Sequence, residues 1–343
     1  MKECIEKLNK MLLQSINKNY PTGITQGKMG ISIYFYHLAI TEQNEEYKAI
    51  AEQLLDDTLG RLFLESSISV ESGLAGIALG VKHLINAGFV EGDVNELLED
   101  IDDTIFKRLV FPESGLPNDK RELLHMLFYL SKRLDDQMDE NNRYIYSELI
   151  IHVLNIFVTE LNDDFFNESL SFSIYDFQLP VFTYICACLL EQNIYNERIY
   201  KILEEFEPKI LSQFPVLHAN RLYLLCGLLS LVPYIKSEKW NNHIKLLRKE
   251  IELQVILEKE MSNKHIFVSN GLSLIYLLLY YLENKYPDYK IYYDPLDFYD
   301  RIIASEAWES LFKNDYFFKI HQGLLNGFLG VKLVLSHIKK QKV

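Results

Sequence analysis

Apolar residues recur at helical spacing along almost the whole chain, in two alternating styles. In Glu45–Leu64 and Val94–Leu109 they form a stripe, with charged residues on the opposite side. That is the pattern of a helix lying on a surface. In Ile31–Ile40, Leu222–Val232 and Leu272–Leu282 they run nearly all round, and a helix with no polar face has to be buried. The spacing predicts helices at about 1–18, 27–41, 43–64, 72–88, 93–109, 117–134, 141–161, 176–192, 194–212, 218–236, 239–258, 269–285, 295–312 and 322–340. No stretch alternates with period two between hairpin turns, and 291–293 reads equally well as a loop leading to Pro295. Seven surface helices alternating with seven buried ones predict an all-α fold, an α/α toroid in which an inner ring is wrapped by an outer ring. An open solenoid of helical pairs competes less well, because solenoid helices keep one side exposed. No linker interrupts the pattern, so 1–343 is expected to be a single domain.

A short phrase, Gly-x-x-Gly followed by an apolar run, opens several of the buried helices. It reads Gly27-Lys28-Met29-Gly30, Gly73-Leu74-Ala75-Gly76 and Gly327-Phe328-Leu329-Gly330, with a weaker copy at Gly271-Leu272-Ser273-Leu274. Inner helices of a toroid converge where they begin, so small residues three apart let neighbouring backbones approach. Each glycine costs up to about 1 kcal/mol of helix propensity, which close packing has to offset. One such phrase is weak evidence; copies about 40 to 60 residues apart at helix starts form an internal repeat.

Composition narrows the function classes. The 343 residues are 48% hydrophobic and 13% aromatic, with 15 Gly and 9 Pro, a profile of long helices and short connections. The net charge of −13 argues against a nucleic-acid backbone or an anionic membrane as main partner and leaves room for a basic peptide or protein. The first residues, Met1-Lys2-Glu3-Cys4-Ile5-Glu6-Lys7, do not read as a secretory signal. Leu222–Ile235 and Leu272–Leu282 are too short to span a bilayer, so no membrane insertion is expected. Four cysteines without framework spacing point to a reducing, cytoplasmic setting, and Cys186 and Cys188 read as core residues.

The run Gly73-Leu74-Ala75-Gly76-Ile77-Ala78-Leu79-Gly80 and the run Gly323-Leu324-Leu325-Asn326-Gly327-Phe328-Leu329-Gly330-Val331 resemble the inner-helix openings of lanthionine synthetase C-like proteins. The similarity in hairpin number and spacing extends over essentially the whole chain. It implies the seven-plus-seven toroid and a role in maturing ribosomally made peptides. Enzymatic members hold a central zinc that activates peptide thiols for addition to dehydrated Ser or Thr, closing thioether rings. Their ligands stand in Trp-Cys-x-Gly before the fifth inner helix and Cys-His-Gly before the sixth.

At the sixth, this chain has Ser269-Asn270-Gly271, and neither side chain is a usual zinc ligand. At the fifth, Leu217-His218-Ala219-Asn220 offers one imidazole, and Cys226 lies about two turns deeper, where it reads as core. In the third hairpin Gly115-Leu116-Pro117-Asn118 takes the phrase, and the expected acid falls near Phe111 or Glu113. In the fourth, the expected histidine falls at Phe177 beside Asp176, ahead of Gln178-Leu179-Pro180-Val181. The resemblance therefore implies no metal and no cofactor here, with zinc-dependent cyclisation lost. The partner expected is a precursor peptide or a peptide-modifying enzyme.

Other polar residues at helix starts are expected to line the toroid's mouth: Lys28, Glu71, Asn118, Asp176, Arg221, Ser269 and Asn270. His218 and His321 could serve as bases of a metal-independent cyclase. Asp119 and Glu122, three apart, could be the carboxylate pair of a carbohydrate-active toroid, although acids in a first turn also simply complement the helix dipole. His37, His83 and His125 read as packed against neighbours. The Tyr- and Asp-rich tract 286–299 reads as a long connection that could also bind a partner.

Overall fold

The computed structural model describes residues 2–17, 19–65, 67–111, 119–137, 139–261 and 265–341. Among them there are helices and turns and no strand. In chain order the helices are α1 Lys2–Ser15, α2 Lys28–Glu42, α3 Glu45–Leu59, α4 Leu74–Asn86, α5 Val94–Val110, α6 Lys120–Leu134, α7 Glu140–Thr159, α8 Asp163–Phe166, α9 Leu179–Glu191, α10 Asn196–Leu211, α11 His218–Leu231, α12 Glu238–Lys249, α13 Leu253–Val255, α14 Leu272–Lys285, α15 Pro295–Ile303, α16 Glu306–Lys313, α17 Asp315–Ile320 and α18 Phe328–Lys340. The chain divides into two compact units. One comprises Met1–Ile105, Asn263–Leu274 and Asp294–Val343, the other Phe106–Ser262 and Ile275–Tyr293. In the first, α2 packs on α3, α4 and α18; in the second, α9 packs on α6, α10 and α11.

The two styles of helix behave as their patterns predict. Along α2 an unbroken run from Lys28 to Tyr36 is buried, and α11 is buried at nearly every position from Ala219 to Leu231. By contrast α10 buries a single stripe, Ile199, Ile202, Leu203, Phe206 and Ile210, and α12 buries only Trp240, His243, Ile244 and Leu247.

Three expected helices are cut differently. The one predicted over 239–258 stops at Lys249, and Glu252 is extended because its N–H turns out to a side chain of α11. After α13 comes a π-helical turn, Ile256–Glu260. The helix predicted over 295–312 breaks at Ser305, whose hydroxyl accepts the Trp308 N–H and so starts a new one. The last begins at Phe328 rather than 322, and α17, which the pattern did not predict, is capped by Asn314.

Residues 322–327 are not helical because they belong to a loop that recurs before each glycine-phrase helix. The first residue of each helix donates its N–H to the carbonyl seven residues back. Lys28 reaches Pro21 at 2.8 Å, Leu74 reaches Ser67 at 3.0 Å, Leu272 reaches His265 at 2.9 Å and Phe328 reaches His321 at 2.8 Å. These bonds satisfy the orphan amides of a helix start without a side-chain cap. The first glycine lies beneath the fold-back, and the second lies under the carbonyl six residues earlier: Ile24 over Gly30, Val70 over Gly76, Leu324 over Gly330. The close approach is therefore mainly between each helix and its own preceding loop, with neighbouring side chains next. The loops are in turn bonded to one another. Ser269 N donates to Leu325 O at 2.9 Å, Leu324 N to Thr25 O at 2.8 Å, and Thr25 N to Glu71 O at 3.2 Å.

A Cβ at Gly330 would overlap the Leu324 carbonyl oxygen, which the loop bonds hold in place, whereas Gly60 is in αR conformation with its nearest neighbour atom 3.2 Å from a Cβ. Gly330→Ala is expected to cost about 3 kcal/mol or more, and Gly60→Ala less than about 1 kcal/mol. Urea denaturation of the two variants measures the difference.

Candidate functional site

The start of α11 carries His218 and Arg221, two of the expected site residues. Its N-cap position is Leu217, which has no side chain able to accept the free amides. A carboxylate from far along the chain does so instead, and a second one holds the residues leading into the helix. Glu260 takes the N–H of His218 at 2.7 Å on one oxygen and of Ala219 at 2.9 Å on the other. Glu168 takes the N–H of Val216 and, at 2.8 Å, the side-chain amide of Asn220. Glu260 closes the π-helical turn, and a π turn is a common device for re-aiming a side chain at a site.

The side chains here are equally engaged. His218 Nδ1 accepts the Glu252 N–H at 3.0 Å, which places the ring proton on Nε2. Its lone pair is thus occupied. Arg221 donates to the carbonyls of Pro215 at 2.6 Å, Glu250 at 2.8 Å and Val216 at 3.3 Å, and its guanidinium lies over the Phe214 ring at 4.5 Å. Deeper in α11, burial pushes the Cys226 thiol well above its ordinary range, so it is a thiol and not a thiolate. Glu168 and Glu260 were not singled out by the sequence; the one clue was a helix start without Ser, Thr, Asp or Asn at its cap.

In the unit that holds the glycine loops, Ser269 and Asn270 are adjacent and touch only weakly, Ser269 Oγ lying 3.4 Å from Asn270 Oδ1. Ser269 is buried. His321 is sandwiched between Phe267, 4.8 Å away at 8°, and Phe317, 4.1 Å away at 28°. Its Nδ1 is 3.0 Å from the Phe317 carbonyl, which can only accept, so Nδ1 carries the proton and Nε2 keeps a lone pair. Lys28 turns toward α3, buried, with its ammonium 2.9 Å from Asp57. That hydrogen bond holds the Asp57 carboxyl below its usual range. Glu71 contributes its backbone carbonyl to Thr25.

The remaining expectations are scattered. Asp119 caps α6 by accepting the Arg121 N–H at 2.9 Å, and Glu122 is exposed in the same first turn. Asp176 is exposed before α9, and Phe177 is fully buried. Asn118, Glu113 and the phrase Gly115-Leu116-Pro117 lie outside the described residues. Among the described residues no three His, Cys, Asp or Glu side chains converge on a point that could hold a metal ion. Ser269 offers a hydroxyl, Asn270 a carboxamide and His218 an imidazole whose Nδ1 already accepts a backbone N–H, and none of these is a ready zinc donor. No described helix is long and apolar enough to cross a membrane.

Known structures contain a counterpart of this architecture. Nisin cyclase superposes along 99% of this chain and 94% of its own, with a TM-score of 0.62 and 14% identity. The likeness shows the fold. It is all-α and of the α/α toroid kind, as the alternation of buried and striped helices predicts. No protein-family model and no curated protein matches the sequence.

Replacing Glu260 by Ala leaves two helix-start amides without acceptors. A loss of about 2 kcal/mol is expected in urea denaturation, with Glu260→Gln recovering part of it. A second test concerns the ends of α2 and α4, where His37 and His83 meet Nε2 to Nε2 at 3.0 Å. Burial, with His83 and Lys340 nearby, pushes His37 down to about 4, and burial lowers His83 as well. The folded state resists a proton that the unfolded chain accepts near 6.5, so stability is full above that pH and falls as pH drops toward 4. Because both rings are partly solvated, a loss of roughly 1–2 kcal/mol is expected. The double variant His37→Gln/His83→Gln should flatten the pH profile of the urea midpoint.

Proposed function

We propose that this chain is a lanthionine synthetase C-like protein of ribosomal-peptide maturation that binds a precursor peptide or a modifying enzyme without performing zinc-dependent cyclisation. One observation carries the reading. The toroid-type fold matches a cyclase over 99% of the chain, while the sites that would have to hold zinc carry Ser269, Asn270 and a His218 whose Nδ1 already accepts a backbone amide. Net charge −13 favours a cationic peptide as the bound partner. The buried free thiols of Cys186, Cys188 and Cys226 suit a reducing cytoplasm.

A second reading, cyclisation without metal, draws on His321. Its Nε2 retains a lone pair while Nδ1 is fixed on the Phe317 carbonyl, an arrangement suited to a general base. The two readings differ in whether any thioether forms.

The protein purified from its host is expected to contain well under one zinc per chain by atomic emission, and to bind its precursor peptide without closing rings in it. About one tightly bound zinc per chain would overturn the first reading. Thioether formation that survives a strong chelator and is lost in His321→Ala would favour the second.

A further inference from the structure

Two loops in the unit that carries α11 leave large aliphatic side chains bare. Leu170 is 101% exposed and Val216 77%, with Phe214, two residues before Val216, at 41%. These are ordered loops. Glu168 bonds the amide of Val216 and the Asn220 side chain, and Asn220 also donates to the Ser169 carbonyl at 3.4 Å. Phe172 and Phe177 pack edge-on to Tyr223 of α11 at 6.3 and 6.4 Å. Glu260 and the Arg221 bonds fix the other loop from behind. Aliphatic groups held rigidly in water gain nothing for the fold, and an apolar patch with a charged border is the usual mark of an interaction site.

The border is acidic. Segment 160–182 contains Glu160, Asp163, Asp164, Glu168 and Asp176 and no Lys or Arg. Glu252 and Glu260 add carboxylates from the segment that follows α12. Four cations oppose them: Lys209, paired with Asp163 at 2.7 Å; Lys120, whose ammonium donates to Asn162 at 2.9 Å; Arg121, whose guanidinium lies 5.4 Å from the centre of the Tyr175 ring; and Arg221, whose donors are taken by backbone carbonyls. The surplus is negative, so charge complementarity selects a basic occupant.

We infer that the loops bearing Leu170 and Val216 form a preorganised docking ledge for a cationic peptide segment with aliphatic side chains. The aliphatic groups would lie on Leu170, Val216 and Phe214, and the peptide's ammonium groups would face Asp164, Asp176 and their neighbours. This rests on the peptide-binding reading proposed above and locates it on named residues. Because the loops are already ordered, little conformational entropy is lost on binding.

The test is fluorescence anisotropy of the full chain with a labelled amphipathic Lys/Leu peptide and its Glu/Leu counterpart. The Lys/Leu peptide is expected to bind, more weakly as salt rises, and the Glu/Leu peptide not to. Leu170→Asp/Val216→Asp should weaken binding about tenfold or more, equivalent to about 1.4 kcal/mol. Tyr144→Asp/Ile145→Asp, on exposed apolar positions of α7, should leave binding unchanged. Asp164→Asn/Asp176→Asn, which leaves the apolar contacts intact, should weaken binding and flatten its salt dependence. Equal binding of both peptides, or no effect of the Leu170/Val216 pair, overturns the ledge. So does wild-type self-association abolished by that pair, since the surface would then belong to a second copy of the chain. If the precursor peptide binds but ignores the ledge variants, the proposed function stands and the ledge alone falls.

Discussion

A backbone carbonyl occupying the space of a missing side chain is the constraint on which half of this architecture depends. At Gly30, Gly76 and Gly330 the oxygen of the residue six back sits where a Cβ would be. That contact lets the preceding loop fold over the helix start and hand its carbonyls to the first amides. The same fold-back exposes the loop's own N–H and C=O groups sideways, toward the next loop. Hence Ser269 bonds to Leu325, Leu324 to Thr25 and Thr25 to Glu71, a run of backbone links joining segments from both ends of the sequence. Buried backbone groups have to be paired, and here one arrangement pairs those of the helix and those of the loops together.

The helices without the phrase meet the same requirement by other means. The first amides of α11, those of His218 and Ala219, are taken by the Glu260 carboxylate, and Glu168 takes the Val216 N–H just ahead of the helix, each from tens of residues away. Its one glycine, Gly227, sits mid-helix, where α11 presses on the Pro180 carbonyl and the Thr183 hydroxyl of α9. Capping by a remote carboxylate has a chemical consequence that backbone capping lacks. It draws Glu168, Glu260, His218 and Arg221 into one structural knot, and groups so engaged are not available as ligand or base without unlocking the helix start.

Much of the fold was legible because burial leaves a periodic trace. The contrast between α2, apolar all round, and α10, apolar in one stripe, separates the two classes of helix from composition alone. What was illegible depended on tertiary partners. Nothing in the sequence of 239–258 announces the break at Glu250–Glu252, since the competing bond is to an imidazole more than thirty residues away. Likewise, Lys28 at a helix start reads as a mouth-lining cation, but the structure pairs it with Asp57 of α3. His321 could be located from its place ahead of the last glycine phrase, while its stacking between Phe267 and Phe317 required the loops to be folded.

The glycine loops also account for how a fold can persist while the chemistry beside it changes. Two positions before the first glycine stand Thr25, Glu71, Ser269 and Leu325, four unlike side chains. Each uses its backbone N–H or C=O in the links between loops, and Thr25 adds its hydroxyl, which donates to the Glu71 carbonyl at 2.8 Å. At Ser269 the link to the next loop is made by the backbone N–H, donated to the Leu325 carbonyl. A different side chain at Ser269 would leave that loop bond in place, whereas a side chain at Gly271 would push the loop off the helix.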